Sequence, residues 1–336
     1  MNGKPKRSGP YARAWFWLFV AWTALGLSLL ALAIYLFVAP LAVSWFSAED
    51  RDGPVPTISL IGGLTNPEEG VGAASPAPDE PLPIPHWRRY ARDFSDPLQR
   101  PRVAVIVVDL GLSSAATRAT FERMPPDVTL SFNPYGDKTR DWMAQARRSG
   151  HEVLLDLPME PRSTVEGDPG PRALRTQFGS QQNLDSLAWI LGRGEEAIGL
   201  VASMGSRFLA SPSDIGPILD EIASRGLIFV DNGSGGRRKP QGPADQGQSP
   251  LVFSETPIDD KLASAQAIDA RLVRVEQVAT ARGAAIVIAR PFPVSLERLE
   301  AWIAALEAKG LVLAPVSAAA RSLDAEDETA ERAAPE

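Results

Sequence analysis

Val103-Ala104-Val105-Ile106-Val107-Val108 runs into Asp109, and the reading of that stretch decides the reading of the chain. A short, continuous β-branched run is the mark of a strand buried on both faces of a parallel sheet. The C-terminal end of such a strand is the end offered to a ligand. The pattern recurs: His151-Glu152-Val153-Leu154-Leu155 runs into Asp156, and Gly226-Leu227-Ile228-Phe229-Val230 into Asp231. Three acids at the ends of three such runs predict one acidic pocket.

Working outward, apolar strand-like runs occupy 103–109, 127–132, 151–157, 198–203, 227–231, 251–254, 284–290 and 311–315. Helical stretches separate most of them. Ser211 as N-cap, Pro212 at the first helical position and Asp214 behind it open a helix carrying Ile215, Ile218, Leu219 and Ile222, which Gly226 closes. Leu262, Ala265, Ile268, Leu272, Val275 and Ala279 recur at helical spacing up to Gly283. Leu296, Leu299, Ile303 and Leu306 do the same up to Gly310. Strand–helix alternation of this kind predicts a parallel sheet. Eight strands in this length fit a closed or partly closed β/α barrel with its site at the strand C-termini. The alternative is an open doubly wound sheet.

The ends of the chain are different. Nothing charged appears from Ala14 to Ala48, longer than the roughly 20 residues a helix needs to cross a bilayer. Lys4, Lys6, Arg7 and Arg13 precede the run, and Glu49, Asp50 and Asp52 follow it. The expected organisation is therefore a basic tail (1–13) in the cytoplasm and one transmembrane helix (14–39). The remainder lies on the periplasmic side of the inner membrane. The apolar run is too long for a cleaved signal peptide. Residues 47–100, rich in Pro, Gly and acids, read as a tether, with Trp87-Arg88-Arg89-Tyr90 either a clasp on the domain or a short amphipathic stub. The barrel is assigned to 101–320 and a solvated acidic tail to 321–336.

Composition limits the chemistry. The chain has no Cys, which excludes a thiol nucleophile and any Cys-ligated metal, and it has two His. His86 lies in the tether, and His151 begins its strand, at the end opposite the acids. A net charge of −7, with no basic patch interleaved with aromatics after residue 50, argues against nucleic acid. Ser113 and Ser203 have no His placed to make a triad. Three acids in one pocket need a cation among them. It is either a hard divalent metal on oxygens of Asp109, Asp156 and Asp231, or the guanidinium of Arg290, with Arg207 as the fallback. The arginine is preferred, so no cofactor is expected. The proline-dense segment Leu157-Pro158-Met159-Glu160-Pro161, continuing to Asp168-Pro169-Gly170-Pro171, reads as a stiff rim over the mouth.

Several blocks together resemble the divergent polysaccharide deacetylase family: "VAVIVVDLGLS", "GHEVLLDLPMEP…DPGP", "MGSRF", "RGLIFVD" and "AIVIARPFPVSLERLEAWIAALEAKGLVLAPVS". The resemblance covers roughly residues 84–320. It implies a distorted β/α barrel of the deacetylase type and a role in envelope carbohydrate metabolism. The implied ligand is an envelope or peptidoglycan-type glycan, with a partner protein as the other candidate. Fuller members are expected to bind a divalent metal and remove acetyl groups. The departures fall on that chemistry. Val108-Asp109 stands where the family has an Asp-Asp pair, so the expected base is missing. Ser203-Met204-Gly205-Ser206 stands for His-Met-Gly-Ser, and Ala289-Arg290-Pro291 for Gly-His-Pro. A metal-bound hydroxide of the usual kind lacks its ligands here. The candidate catalytic residues are Asp109, Asp231 and Arg290. Asp156, Met159, Glu160, Ser203 and Arg207 are candidates for substrate binding. A non-catalytic module binding glycan or protein in the same cleft is the alternative to a hydrolase.

Overall fold

A computed structural model describes residues 84–236, 249–254, 257–260 and 264–323. The expected transmembrane helix over 14–39, the basic tail, most of the tether and most of the acidic tail lie outside these residues. No helix among the described residues is long and apolar enough to cross a membrane.

Each of the eight apolar runs forms a strand: β1 (Arg102–Leu110), β2 (Thr129–Phe132), β3 (Val153–Met159), β4 (Gly199–Met204), β5 (Ile228–Asp231), β6 (Leu251–Phe253), β7 (Ala284–Ala289) and β8 (Val312–Leu313). Seven follow the spatial order β6-β5-β4-β3-β2-β1-β7, and every pairing is parallel. The short β8 pairs with Arg102 and Val103 at the beginning of β1, below the point where β2 joins it. Helices α2 (Ser114–Arg123), α3 (Thr139–Arg148), α4 (Ser180–Leu191), α5 (Pro212–Ser224), α6 (Ala265–Arg282) and α7 (Pro293–Ala305) connect the strands, and α1 (His86–Tyr90) precedes them.

Period-two alternation sorts the strand residues into two cores. Val103, Val105 and Val107 of β1, Leu155 and Leu157 of β3 and Val287 of β7 pack with the apolar faces of the helices. Ala104 and Ile106, Leu154, Val201, Val230, Val252, Ile286 and Ile288 form a second cluster on the other face. Residues from β1, β3, β4, β5, β6 and β7 meet in that one cluster, so the sheet is curled around it. The barrel is only partly closed. β6 and β7 share no ladder, and Ser254 and Ile258 bridge toward β7: the Ser254 hydroxyl donates to the Ile286 carbonyl (3.2 Å) and the Ile258 N–H to the Ile288 carbonyl (3.0 Å). This corrects the open-sheet alternative and makes the fold a parallel half-barrel.

The N-terminal mouth is plugged. Trp87 is 1% exposed, joins the inward cluster, and its N–H donates to the Gly226 carbonyl (2.9 Å). Of the two readings of this segment, the clasp is the one realised, so the domain begins well before residue 101. Glu152, fully buried at the start of β3, accepts the Arg92 N–H (2.9 Å), the Ser317 N–H (3.1 Å) and the Ser317 hydroxyl (2.5 Å). One carboxylate thus ties the incoming segment and the final helix (316–323) to the same strand. His151 beside it is buried, donating from Nδ1 to the Val128 carbonyl (2.8 Å), and burial lowers its pKa. It is structural and precedes β3, at the end opposite Asp156.

Candidate functional site

The C-terminal mouth is built from the inward-facing positions that follow the apolar cluster. On β3, Asp156 shares its face with Leu154. On β7, Arg290 continues the face of Ile286 and Ile288. On β2, the alternation Thr129-Leu130-Ser131-Phe132-Asn133 sends Leu130 and Phe132 to the helices and leaves three polar residues inside. β1 departs from regularity. Its register with β2 shifts between Val107 and Leu110, and Asp109 has a φ of 59°. A bulge of this kind re-aims a side chain. Here it also turns the Asp109 N–H onto Asp156 Oδ2 at 3.0 Å.

Asp156 is enclosed. Its Oδ1 accepts the Ser131 hydroxyl at 2.5 Å. Burial first, and the neighbouring Asp109 carboxylate second, raise its pKa to about 8. Burial and its neighbour thus favour the neutral form of this carboxyl, and it supports Asp109 without touching solvent. Asp109 is the accessible acid, its side chain 28% exposed. One oxygen accepts the Asn133 amide at 3.4 Å and the other the Arg290 Nε–H at 3.2 Å. Arg290, 36% exposed, is held from behind by Asp259: its N–H donates to Asp259 Oδ2 (2.6 Å), which also accepts the Ser295 hydroxyl (2.8 Å).

The other candidates fall elsewhere. Asp231 has the strand parity of Phe229, which faces the helices, and its Oδ1 accepts the Gly233 N–H in a tight turn (2.8 Å). Burial raises its pKa, with no contribution from Asp109 or Asp156. The expectation that three acids share one pocket is corrected to two, with Asp231 apart. Met159 is fully buried among the helix-facing residues and is packed, not offered to a substrate. Glu160 pins the rim: its carboxylate accepts the N–H and hydroxyl of Thr176 (both 2.7 Å), and its N–H donates to the Leu174 carbonyl (2.8 Å). Arg207 is exposed and pairs with Glu160 at 3.7 Å. Ser203 has the parity of Val201 and is half-buried at the end of β4. It is followed by Met204 at a φ of 57°, a second non-glycine residue in the left-handed region at this mouth. Two strained residues at strand ends of one mouth are the kind of outlier that clusters at binding sites.

Beside Asp109, a pocket of about 210 Å³ opens between the loops after β1 and β2, lined by Leu112, Tyr135, Lys138 and Trp142 among others. Asn133 connects it to the acids, since its Oδ1 accepts the Tyr135 N–H at 3.1 Å. The Tyr135 hydroxyl accepts the Arg172 N–H (2.9 Å), which ties the pocket to the rim. Sequence reading overlooked Ser131 and Asp259. The period-two alternation in β2 would have found Ser131; Asp259 carries no local signal.

With this geometry in view, comparison with known proteins is decisive. The model of the divergent polysaccharide deacetylases matches residues 105–320. The chain belongs to that family. A solved structure of an uncharacterized protein from Agrobacterium tumefaciens C58 is 32% identical, covers 70% of this chain and 94% of that one, and superposes with a TM-score of 0.63. The uncharacterized protein YibQ of Escherichia coli K12 is 22% identical over 62% of this chain and 65% of its own length. An uncharacterized protein of Haemophilus influenzae is 24% identical over 39% and 46%. The match thus spans less than two thirds of either of these two relatives.

The metal expected of fuller deacetylases does not fit this donor set. One oxygen of Asp109 faces a guanidinium that brings its own positive charge, and Asp156 spends both oxygens on protein donors and favours its neutral form. The motif resemblance in the sequence sets Ser203 and Arg290, not histidines, at the two ligand positions. Among the described residues, no group of three or more His, Cys, Asp or Glu is placed to hold a metal ion.

The raised pKa of Asp156 has a signed consequence. Between the ordinary carboxylate range near pH 4 and about pH 8, the folded state holds a proton that the unfolded chain releases. The contribution of this group to stability is therefore full below that window and is lost as pH rises through it. Asp156→Asn keeps a neutral side chain at every pH. The variant should match the parent near pH 4–5 and exceed it near pH 9 in urea midpoint. An unchanged pH slope in the variant would show that Asp156 is ionised throughout.

Proposed function

We propose that this protein is a membrane-anchored glycan-binding member of the divergent polysaccharide deacetylase family, whose cleft operates without metal-hydroxide chemistry. The observation that carries this reading is the Arg290 guanidinium on Asp109, a fixed cation already on the accessible acid; the sequence resemblance makes this a position where the family would carry a histidine. Family membership supports an acetylated glycan as the ligand class. The pocket with Tyr135 and Trp142 supplies aromatic faces of the kind sugars stack on. The uncharged run from Ala14 to Ala48, with basic residues before it and acids after, supports a single-pass anchor with the barrel in the periplasm.

Two experiments test the parts separately. Acetylated chito-oligosaccharides titrated into the protein should bind, and incubation with and without added zinc should release no acetate. Zinc-dependent acetate release would instead make the chain a working deacetylase. For the anchor, a periplasm-active reporter fused after residue 50 should be active and a cytoplasm-active one silent; the reverse pattern would overturn the topology.

A further inference from the structure

Asp259 lies in the segment that closes the sheet against β7, and its side chain is completely buried. Oδ2 accepts two donors, but Oδ1 has no hydrogen-bond partner among the described residues. That bare oxygen faces the Arg290 guanidinium, whose Nη1 is 4.0 Å away. A buried carboxylate oxygen without a donor is unfavourable, and such groups in native proteins call for an explanation. The donor that would satisfy it is within a short side-chain movement, held by Asp109 through one Nε contact at 3.2 Å. Among the described residues, two acids therefore face one cation, which can serve only one of them well.

We propose that Arg290 has two berths, Asp109 and Asp259, and that the ammonium group of a deacetylated hexosamine takes the guanidinium's place on Asp109. This inference rests on reading the cleft as a glycan site and names the sugar it selects. With the amino sugar bound, Arg290 turns its Nη1 onto Asp259 Oδ1, and each acid has its own cation. An ammonium is a compact point charge with three donors, suited to a carboxylate that already accepts the Asn133 amide. An N-acetylated sugar offers a neutral amide there and gives Arg290 no reason to leave. The site thus favours the product of deacetylation over its substrate, and no bond is made or broken.

The test uses the full-length protein in detergent at low salt and about pH 6, where the amine is charged. A fully deacetylated chito-oligosaccharide, its N-acetylated counterpart and a simple alkyl diamine are titrated in parallel. The deacetylated sugar should bind about tenfold more tightly than the acetylated one, the value of one modest charge pair, and the diamine far more weakly. Asp109→Asn should abolish the preference. Asp259→Asn should reduce it by denying Arg290 its second berth. Thermal melts report whether each variant folds, and the partly exposed Asp109→Asn suffices if Asp259→Asn does not. Equal or tighter binding of the acetylated sugar, a preference that survives Asp109→Asn, or a diamine as tight as the sugar overturns the proposal and leaves glycan binding standing. If no oligosaccharide binds, the glycan reading falls with it.

Discussion

Replacing Trp87 with alanine should destabilise the barrel by roughly 3–5 kcal/mol, the usual cost of emptying a large buried aromatic site. The residue precedes the first strand, in a segment whose composition reads as a linker. Yet its ring is sealed in the inward cluster with Ala104, Ile106 and Ile228. The guanidiniums of Arg88 and Arg321 lie 5.1 and 5.9 Å from the ring centroid, so the plug is fastened from both ends of the domain. Collapse around the void is restricted because the neighbours belong to hydrogen-bonded strands. Urea denaturation of the variant measures the loss directly. A change under about 1 kcal/mol would mean that the clasp is dispensable and the domain begins near residue 101.

The second large effect is expected at Arg290→Ala. Its contact with Asp109 is partly exposed and by itself is worth about 1 kcal/mol at most. Behind it stands Asp259, fully buried, which loses both its facing cation and the prospect of one. Breaking buried pairs costs about 3–5 kcal/mol, and at 4.0 Å without a hydrogen bond this pair falls below that. The expected loss near neutral pH is therefore about 2–3 kcal/mol. Adding Asp109→Asn should recover part of it by removing the carboxylate that has lost its cation. The sign with pH follows from burial, which already raises the pKa of Asp259. Without Arg290 the folded state holds that proton to still higher pH, so the variant's deficit should shrink toward pH 5 and widen toward pH 8. A deficit that is constant with pH would assign the loss to packing of the arginine stem alone.

The strand runs were legible because a parallel sheet buried on both faces imposes continuous apolar stretches, and all of them pair as expected. Asp109 and Arg290 were legible as neighbours because both end strands at the same mouth, and β1 and β7 are adjacent through six residue pairs. Asp231 was misplaced by one step of alternation: it follows Val230, an inward residue, and so turns away from the pocket. The bulge at Asp109 left no mark, since the residue is not glycine and nothing in the apolar run before it signals a φ of 59°. Asp259 was invisible for a related reason. It lies outside every periodic segment, and its role exists only because the closing segment meets β7.

The central claim is that a guanidinium takes the place of a metal at this mouth. Zinc stoichiometry of the full-length protein, equilibrated with buffered zinc and separated from free ion, tests it most directly when read beside Asp109→Asn. The account predicts that the parent and the variant retain the same zinc, with none attributable to the mouth. One zinc per chain in the parent that disappears in Asp109→Asn would contradict it.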